Sequence, residues 1–338
     1  MKRLSALLLI LPAFLFLISA CEDEPTKPVT PAVSKAIYVL NSAATSISVI
    51  DLEENKVYNN VQTVGTWPNQ LVYRNGYLYC VNSGSNNIMK FDVSTWEAKT
   101  PIDLGTGKNP MNMVFYSNQY AYVACSMSNE VLRVDMTTNK VVKTIKAGVG
   151  ATGIEIANKK VYVANTGYAG WGNPYLAGTV TVVNAATGDS LRTITVGTNP
   201  QSIAVAKDGK LHVSCTGDYG AIPGVVSVID PATDTVVKTV EIGGAPGMIA
   251  LAPDANLGFL SVWGAGALVY NTSSYAVVNG PASMWLGKGG SGILVDTEDH
   301  VWLSVWDDDQ VVKAKTDGTI LATYNVGDSP ASLAQKID

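Results

Sequence analysis

Residues 197–246 read GTNPQSIAVAKDGKLHVSCTGDYGAIPGVVSVIDPATDTVVKTVEIGGAP, one full period of a pattern that runs along most of the chain. The opening Gly197-Thr-Asn-Pro200 punctuates the backbone and leads into an apolar strand, and the next such turn, Gly243-Gly-Ala-Pro246, closes the stretch. The same turn stands at Gly65-Thr-Trp-Pro68 and Gly327-Asp-Ser-Pro330, and in looser form after Gly105, Gly148 and Gly287. Successive glycines of this set lie 40, 43, 49, 46, 44 and 40 residues apart. A period of that size marks propellers and solenoids.

Each period holds the same parts. A strand such as Ala36 to Asn41, second in its blade, is followed by a loop, a third strand such as Ser46 to Ile50, a turn and a fourth strand. A polar residue ends the third strand, as Asp51, Asp92, Asp135, Asn184, Asp230 and Asn271, and turn-prone residues such as Thr137-Thr138-Asn139 follow it. Helical periodicity of 3.6 is absent, so a helical solenoid is excluded. Four short strands per period select an all-β fold, a seven-bladed β-propeller with four antiparallel strands per blade. The pattern enters at Ala36, inside a blade, and ends on Pro330-Ala-Ser-Leu-Ala334, which matches the strand after each turn. The C-terminal strand is therefore expected to close the first blade, which removes unpaired edges.

Ahead of the repeats, Lys2 and Arg3 precede an apolar run from Leu7 to Ile18, too short for a comfortable membrane span. The run ends in Ile18-Ser19-Ala20-Cys21, which looks like a bacterial lipobox. The expected division is a signal peptide at 1–20, a disordered tether at 21–34 with its lipid on Cys21, and the propeller at 35–338. Pro25, Pro28 and Pro31 fit an extended tether that buries no core. Glu22-Asp23-Glu24 resembles the signal that sends lipoproteins to the outer face in Bacteroidetes-type bacteria. The expected location is thus the outer membrane at the cell surface, with the periplasmic face as the alternative, and membrane contact through the lipid alone.

Removing Lys2 and Arg3 takes the formal charge of −5 two units further negative. Such a chain has no electrostatic footprint for nucleic acid. Cys80, Cys125 and Cys215 lack C-x-x-C spacing and read as small buried apolar residues rather than a disulfide framework.

In a propeller the loop after each second strand and the turn into each innermost strand share one face. The last residues of the second strands are expected to form a ring there: Asn41, Asn82, Cys125, Asn165, Cys215, Trp263 and Trp306. Insertions at 167–178 and 217–224 add Tyr168, Trp171, Tyr175 and Tyr219, and Trp67 comes from a turn into an innermost strand. Trp and Tyr join large apolar area to a hydrogen-bonding tip and concentrate at binding surfaces. The expected ligand-binding set is Trp67, Asn82, Asn165, Tyr168, Trp171, Tyr175, Tyr219, Trp263 and Trp306.

Catalysis is not expected, nor a cofactor or metal. His212 falls in a column with Tyr38, Tyr79, Tyr122 and Tyr162 and reads as their packing substitute, while His300 reads as exposed in a turn. Neither sits at triad or metal-ligand spacing. Asp307-Asp308-Asp309 reads as a solvated turn, because calcium loops space their ligands out. Gly287-Lys288-Gly289-Gly290 lacks the Gly-Lys-Ser/Thr ending of a phosphate loop. A glycosidase needs only two carboxylates brought together by folding, which the sequence leaves open.

With Tyr162-Val163-Ala164-Asn165 and Val228-Ile229-Asp230-Pro231-Ala232-Thr233 added to the turns, the body resembles the YVTN family of propeller repeat proteins, also called surface-layer or YncE-like. Together with the lipobox and the aromatic face, it also resembles the corrinoid-capturing propeller lipoproteins of gut Bacteroidetes. That resemblance implies a small-molecule ligand, vitamin B12 or a related corrinoid, passed to a TonB-dependent outer-membrane transporter. A glycan is the other small ligand that would stack on the same indoles. The alternative is a structural or adhesive surface protein that presents the propeller to a protein or glycan partner.

Overall fold

The computed structural model describes residues 33–170 and 172–337. The segments expected as signal peptide and, up to residue 32, as tether, with Cys21, lie outside the described residues, as does Trp171. The rest forms seven four-stranded antiparallel sheets arranged as the blades of a ring. The innermost strands, blades 1 to 7, are Pro330–Gln335, Pro68–Arg74, Pro110–Phe115, Ala151–Ala157, Pro200–Val205, Ile249–Ala252 and Ile293–Val295. Blade 1 is closed by the C-terminal strand, which pairs Ile37 with Gln335 and Val39 with Leu333.

The second strands are Ala36–Asn41, Tyr77–Asn82, Tyr120–Cys125, Lys160–Asn165, Leu211–Cys215, Leu257–Val262 and Val301–Val305. They read as nearly unbroken apolar runs because neighbouring blades cover both of their faces. Along blade 1, Tyr38 and Leu40 join the core shared with blade 2, whereas Ile37 and Val39 join the core shared with blade 7. This is the period-two alternation of a strand, used here to fill two interfaces at once. Seven apolar clusters result, one between each pair of adjacent blades.

Three residues before the end of each second strand stands one wide ring: Tyr38, Tyr79, Tyr122, Tyr162, His212, Phe259 and Trp302, all buried. Most of them reach the next blade. Tyr79 meets Phe115 edge-on at 4.9 Å, Tyr122 donates to Ala185 O at 2.9 Å, and Tyr162 donates to the Asp234 carboxylate at 2.5 Å. His212 stacks near Tyr270, and its Nδ1 shares a 2.5 Å hydrogen bond with the Tyr270 hydroxyl.

Burial holds the His212 imidazole well below its ordinary range, at about 4, with Asp208 opposing the shift and Lys210 adding to it. The unfolded chain then takes up a proton below pH about 6.5 that the folded chain refuses until about 4. Stability on the order of 3 kcal/mol, complete above pH about 6.5, is therefore lost as the pH falls through that window. His212→Phe should flatten this part of the pH dependence, which thermal melts at pH 7.5, 5.5 and 4.5 would read.

In six blades a polar residue ends the third strand, and it folds the turn that follows. Asp51 Oδ1 accepts from the amides of Glu53 and Glu54, Asp135 Oδ1 from Thr137 and Thr138, and Asn271 Oδ1 from Ser273 and Ser274. Around the channel, side chains of one innermost strand bond the backbone of the next. Ser332 Oγ accepts from Leu71 N at 3.1 Å, Gln70 Oε1 from Met113 N at 2.7 Å, and Ser202 Oγ from Ile249 N at 3.3 Å. Ser291 completes the seam by donating to Pro330 O at 2.6 Å. Cys80, Cys125 and Cys215 are free thiols buried in the cores; burial pushes Cys125 and Cys215 up to about 12 and Cys80 upward as well.

Candidate ligand-binding face

The turns into the innermost strands meet the loops that follow the second strands on one face of the ring. Ser83 N donates to Trp67 O at 2.9 Å, Thr166 N to Gly150 O at 3.1 Å and Thr216 N to Asn199 O at 2.9 Å. Both ends of the described chain lie on the opposite face, where Lys336 Nζ donates to Val33 O at 2.9 Å.

The expected ring splits into two kinds of residue. Asn41, Asn82, Cys125, Asn165 and Cys215 do end their strands, and all are buried. Trp263 and Trp306 stand one residue later: their strands end on Val262 and Val305, which are buried too. Because strand side chains alternate, that single step carries the indoles from the packed side to the open side. Trp263 is 63 % exposed, Trp306 partly so, and their rings lie 4.8 Å apart.

Asn82 and Asn165 are not available to a ligand, since their amides are spent within the fold. Asn82 Oδ1 accepts from Gly65 N at 3.1 Å while its Nδ2 donates to Asn87 Oδ1 at 2.9 Å. Asn165 Oδ1 accepts from Gly148 N at 3.1 Å, and its Nδ2 donates to Thr181 Oγ1 at 3.0 Å. At these two turns the glycine leaves the room this contact needs. A Cβ on Gly65 would stand 2.7 Å from Asn82 Cγ, and one on Gly148 2.8 Å from Asn165 Cγ. Asn165→Ala should lower stability by about 1–2 kcal/mol, because Gly148 N–H keeps only its 3.3 Å contact to Thr181 Oγ1; urea unfolding would measure it.

The aromatic residues do gather on the open side. Trp67 is 72 % exposed and Tyr219 69 %, with Tyr168 half exposed, and Tyr168 and Tyr175 pack at 5.8 Å. Burial, then the neighbouring Tyr219 and Tyr168, pushes the Tyr175 phenol upward. Trp67 and Tyr219 both hold left-handed backbone, with φ of 49° and 61°. Asn109, Asn199 and Ser329 occupy the place of Trp67 in three other turns, also with positive φ. A bulky ring there costs about 1–2 kcal/mol relative to ordinary backbone, so its display is enforced by the surrounding turn. Met127, Leu176 and Ile222 are exposed on the same face and were not anticipated. They lie in the loops that follow second strands, which is the sequence signal that identifies them.

Inside this rim the channel opens into a cup of about 450 Å³. Tyr219 and Trp263 stand at its mouth, and Asn69, Gln70, Asn112 and Gln201 line its wall. Glu155 lies at its waist, where it also borders the cavity that opens on the opposite face.

The histidines lie elsewhere. His212 is sealed between blades, and His300 is drawn into the opposite face rather than exposed. His300 Nδ1 lies 3.3 Å from Asp296 Oδ2, an oxygen that also accepts from Trp302 Nε1 at 2.9 Å. Asp296 folds that turn by accepting from the amides of Glu298 and His300, which pulls the imidazole inward. Asp307, Asp308 and Asp309 are exposed around a single 3-10 turn, and Asp309 Oδ1 accepts from Ser329 N at 2.9 Å.

No protein-family model matches the chain, and no curated protein matches it in sequence. Solved structures do resemble it in fold. Hydrazine synthase of Kuenenia stuttgartiensis superposes with a TM-score of 0.67 at 16 % identity, over 82 % of this chain and 92 % of that one. A functionally unknown protein of Desulfotomaculum acetoxidans DSM 771 gives 0.68 at 13 % identity, over 88 % and 99 %. A chain of a nidogen/laminin complex gives 0.55 at 9 % identity, over 90 % and 98 %. At these identities the likeness is one of fold.

Proposed function

We propose that this protein is a non-catalytic ligand-binding propeller whose aromatic face captures a broad, flat molecule. The observation that carries the reading is the convergence of Trp67, Tyr168, Tyr219, Trp263 and Trp306 on a single face around an amide-lined cup. Exposed apolar area of this density marks interaction sites on soluble proteins. A cup of about 450 Å³ takes a side group, so the body of a larger ligand would lie across the rim. A corrinoid suits both parts, because its macrocycle can pack on the rings while its amide rim meets Asn69, Gln70, Asn112 and Gln201. Among the described residues the cup is lined by one carboxylate, Glu155, and by no histidine, so the paired carboxylates of a glycosidase do not meet there.

In this reading the chain is a surface lipoprotein anchored at Cys21, of the YVTN kind, that hands its ligand to a TonB-dependent transporter. Calorimetric titration of the purified protein with cyanocobalamin tests it. A saturable heat with Kd at or below about 1 μM, roughly −8 kcal/mol, is expected. No heat at micromolar concentrations removes the corrinoid, and a saturable heat with an oligosaccharide in its place would assign the rim to a glycan.

A second reading, an adhesive platform for another protein, is favoured by the breadth of the patch. Six of the seven blades contribute at least one exposed or partly exposed apolar side chain to it, and Met127 and Trp are enriched types at protein interfaces.

A further inference from the structure

We propose that the waist of the channel is a binding site for a small monovalent cation, held by the Glu155 carboxylate and the amide oxygens of Asn112 and Gln201. The inference is independent of what lies on the aromatic rim. Glu155 belongs to the innermost strand of blade 4 and borders both channel cavities. Its Oε1 accepts from Ile156 N at 2.7 Å. No lysine, arginine or histidine of the described residues lies within ion-pair distance of it.

The titratable neighbours are few. Tyr219 stands at the upper mouth, and Tyr73 and Arg74 border the lower cavity. Arg74 is turned to other partners, donating to Asn118 Oδ1 at 2.9 Å and lying over the Phe115 ring at 5.0 Å. Burial accordingly pushes the Glu155 carboxyl up, opposed by the Ile156 amide.

Two amides that line the same cup from the neighbouring innermost strands are oriented by the fold. Asn112 spends its Nδ2 on Thr152 O at 3.3 Å, and Gln201 spends its Nε2 on Asn199 Oδ1 at 2.7 Å. Each keeps a carbonyl oxygen that receives no donor among the described residues, and both line the cup. One negative charge with neutral oxygens lining the same cup suits a single positive charge; calcium asks for more oxygens and more charge. An alkali metal ion and the primary ammonium head of a ligand share that chemistry.

Thermal melts of the purified protein and of Glu155→Gln, with sodium chloride, potassium chloride or propylammonium chloride titrated in turn, distinguish these sources. Glu155→Gln keeps an oxygen for Ile156 N–H and should fold. The expected result is a saturable rise in Tm of about 2 °C or more with at least one salt, weakened at least tenfold in the variant. The rise should shrink from pH 8 to pH 5, because the carboxyl is neutralised as the pH falls. A response to propylammonium alone would assign an amine-bearing ligand, and one to sodium or potassium alone a resident ion. Equal responses in both proteins, or none to any salt, would overturn the site.

Discussion

A chain ending at Asp328 should show no cooperative unfolding transition in urea, whereas one ending at Lys336 should unfold like the full protein. The ten residues from Ser329 to Asp338 are few, but the strand Pro330–Gln335 is the innermost layer of blade 1. Its removal strips Ile37 to Asn41 of their ladder partners. Leu71 N also loses the Ser332 hydroxyl, and Ser291 loses Pro330 O. Leu333 leaves the core between blades 7 and 1, and Ala334 the core between blades 1 and 2. The damage falls at the one place where the ring is joined by residues from opposite ends of the chain. Total stability of a folded domain is about 5–15 kcal/mol, and an open edge with several orphaned amides consumes much of that. Circular dichroism in urea reads the outcome. A sharp transition in the chain ending at Asp328, with an unchanged midpoint, would show that six blades and a remnant hold themselves together.

The second large effect concerns the indoles. Trp263→Ala with Trp306→Ala should weaken capture of a flat ligand by about a hundredfold, roughly 3 kcal/mol, within the range that anchoring aromatic residues supply. Stability should change little, since Trp263 is 63 % exposed and Val262 and Val305 beneath the pair remain. Trp67→Ala provides a comparison, because it removes a displayed ring from another sector. Affinity for cyanocobalamin measured by calorimetry checks the first case. If the double variant binds as the native protein does, or loses pull-down of a protein partner instead, the rim serves a larger surface.

The closed ring was legible because its cause is local and repeated. At four turns a glycine lies against the buried end of a second strand, and at Gly105, Gly243 and Gly287 it takes a left-handed backbone, so the turn recurs at nearly constant spacing and can be counted. The placement of Trp263 and Trp306 was misread by one step for a related reason. Blade 6 joins Val262 to Gly266 through three residues, where blade 1 uses four between Asn41 and Ser46. Neither Val262 nor Val305 resembles the Asn or Cys found at their position elsewhere. The column of wide rings would have corrected the register, since Phe259 and Trp302 continue it after His212. Met127, Leu176 and Ile222 carry no ring and no hydrogen-bonding tip, so in sequence they look like any other aliphatic loop residues. Glu155 carries no motif at all: the channel is assembled from strands far apart in sequence, and a lone carboxylate in one of them gains meaning only when the others surround it.

The position of Val33 and Lys336, beneath the ring and across from the indoles, governs aim. Under the attachment proposed at Cys21, a tether would meet the ring on this underside, and the indoles would face away from the support like a dish turned outward. A tether of another length would then change the distance to the support and leave that direction unaltered.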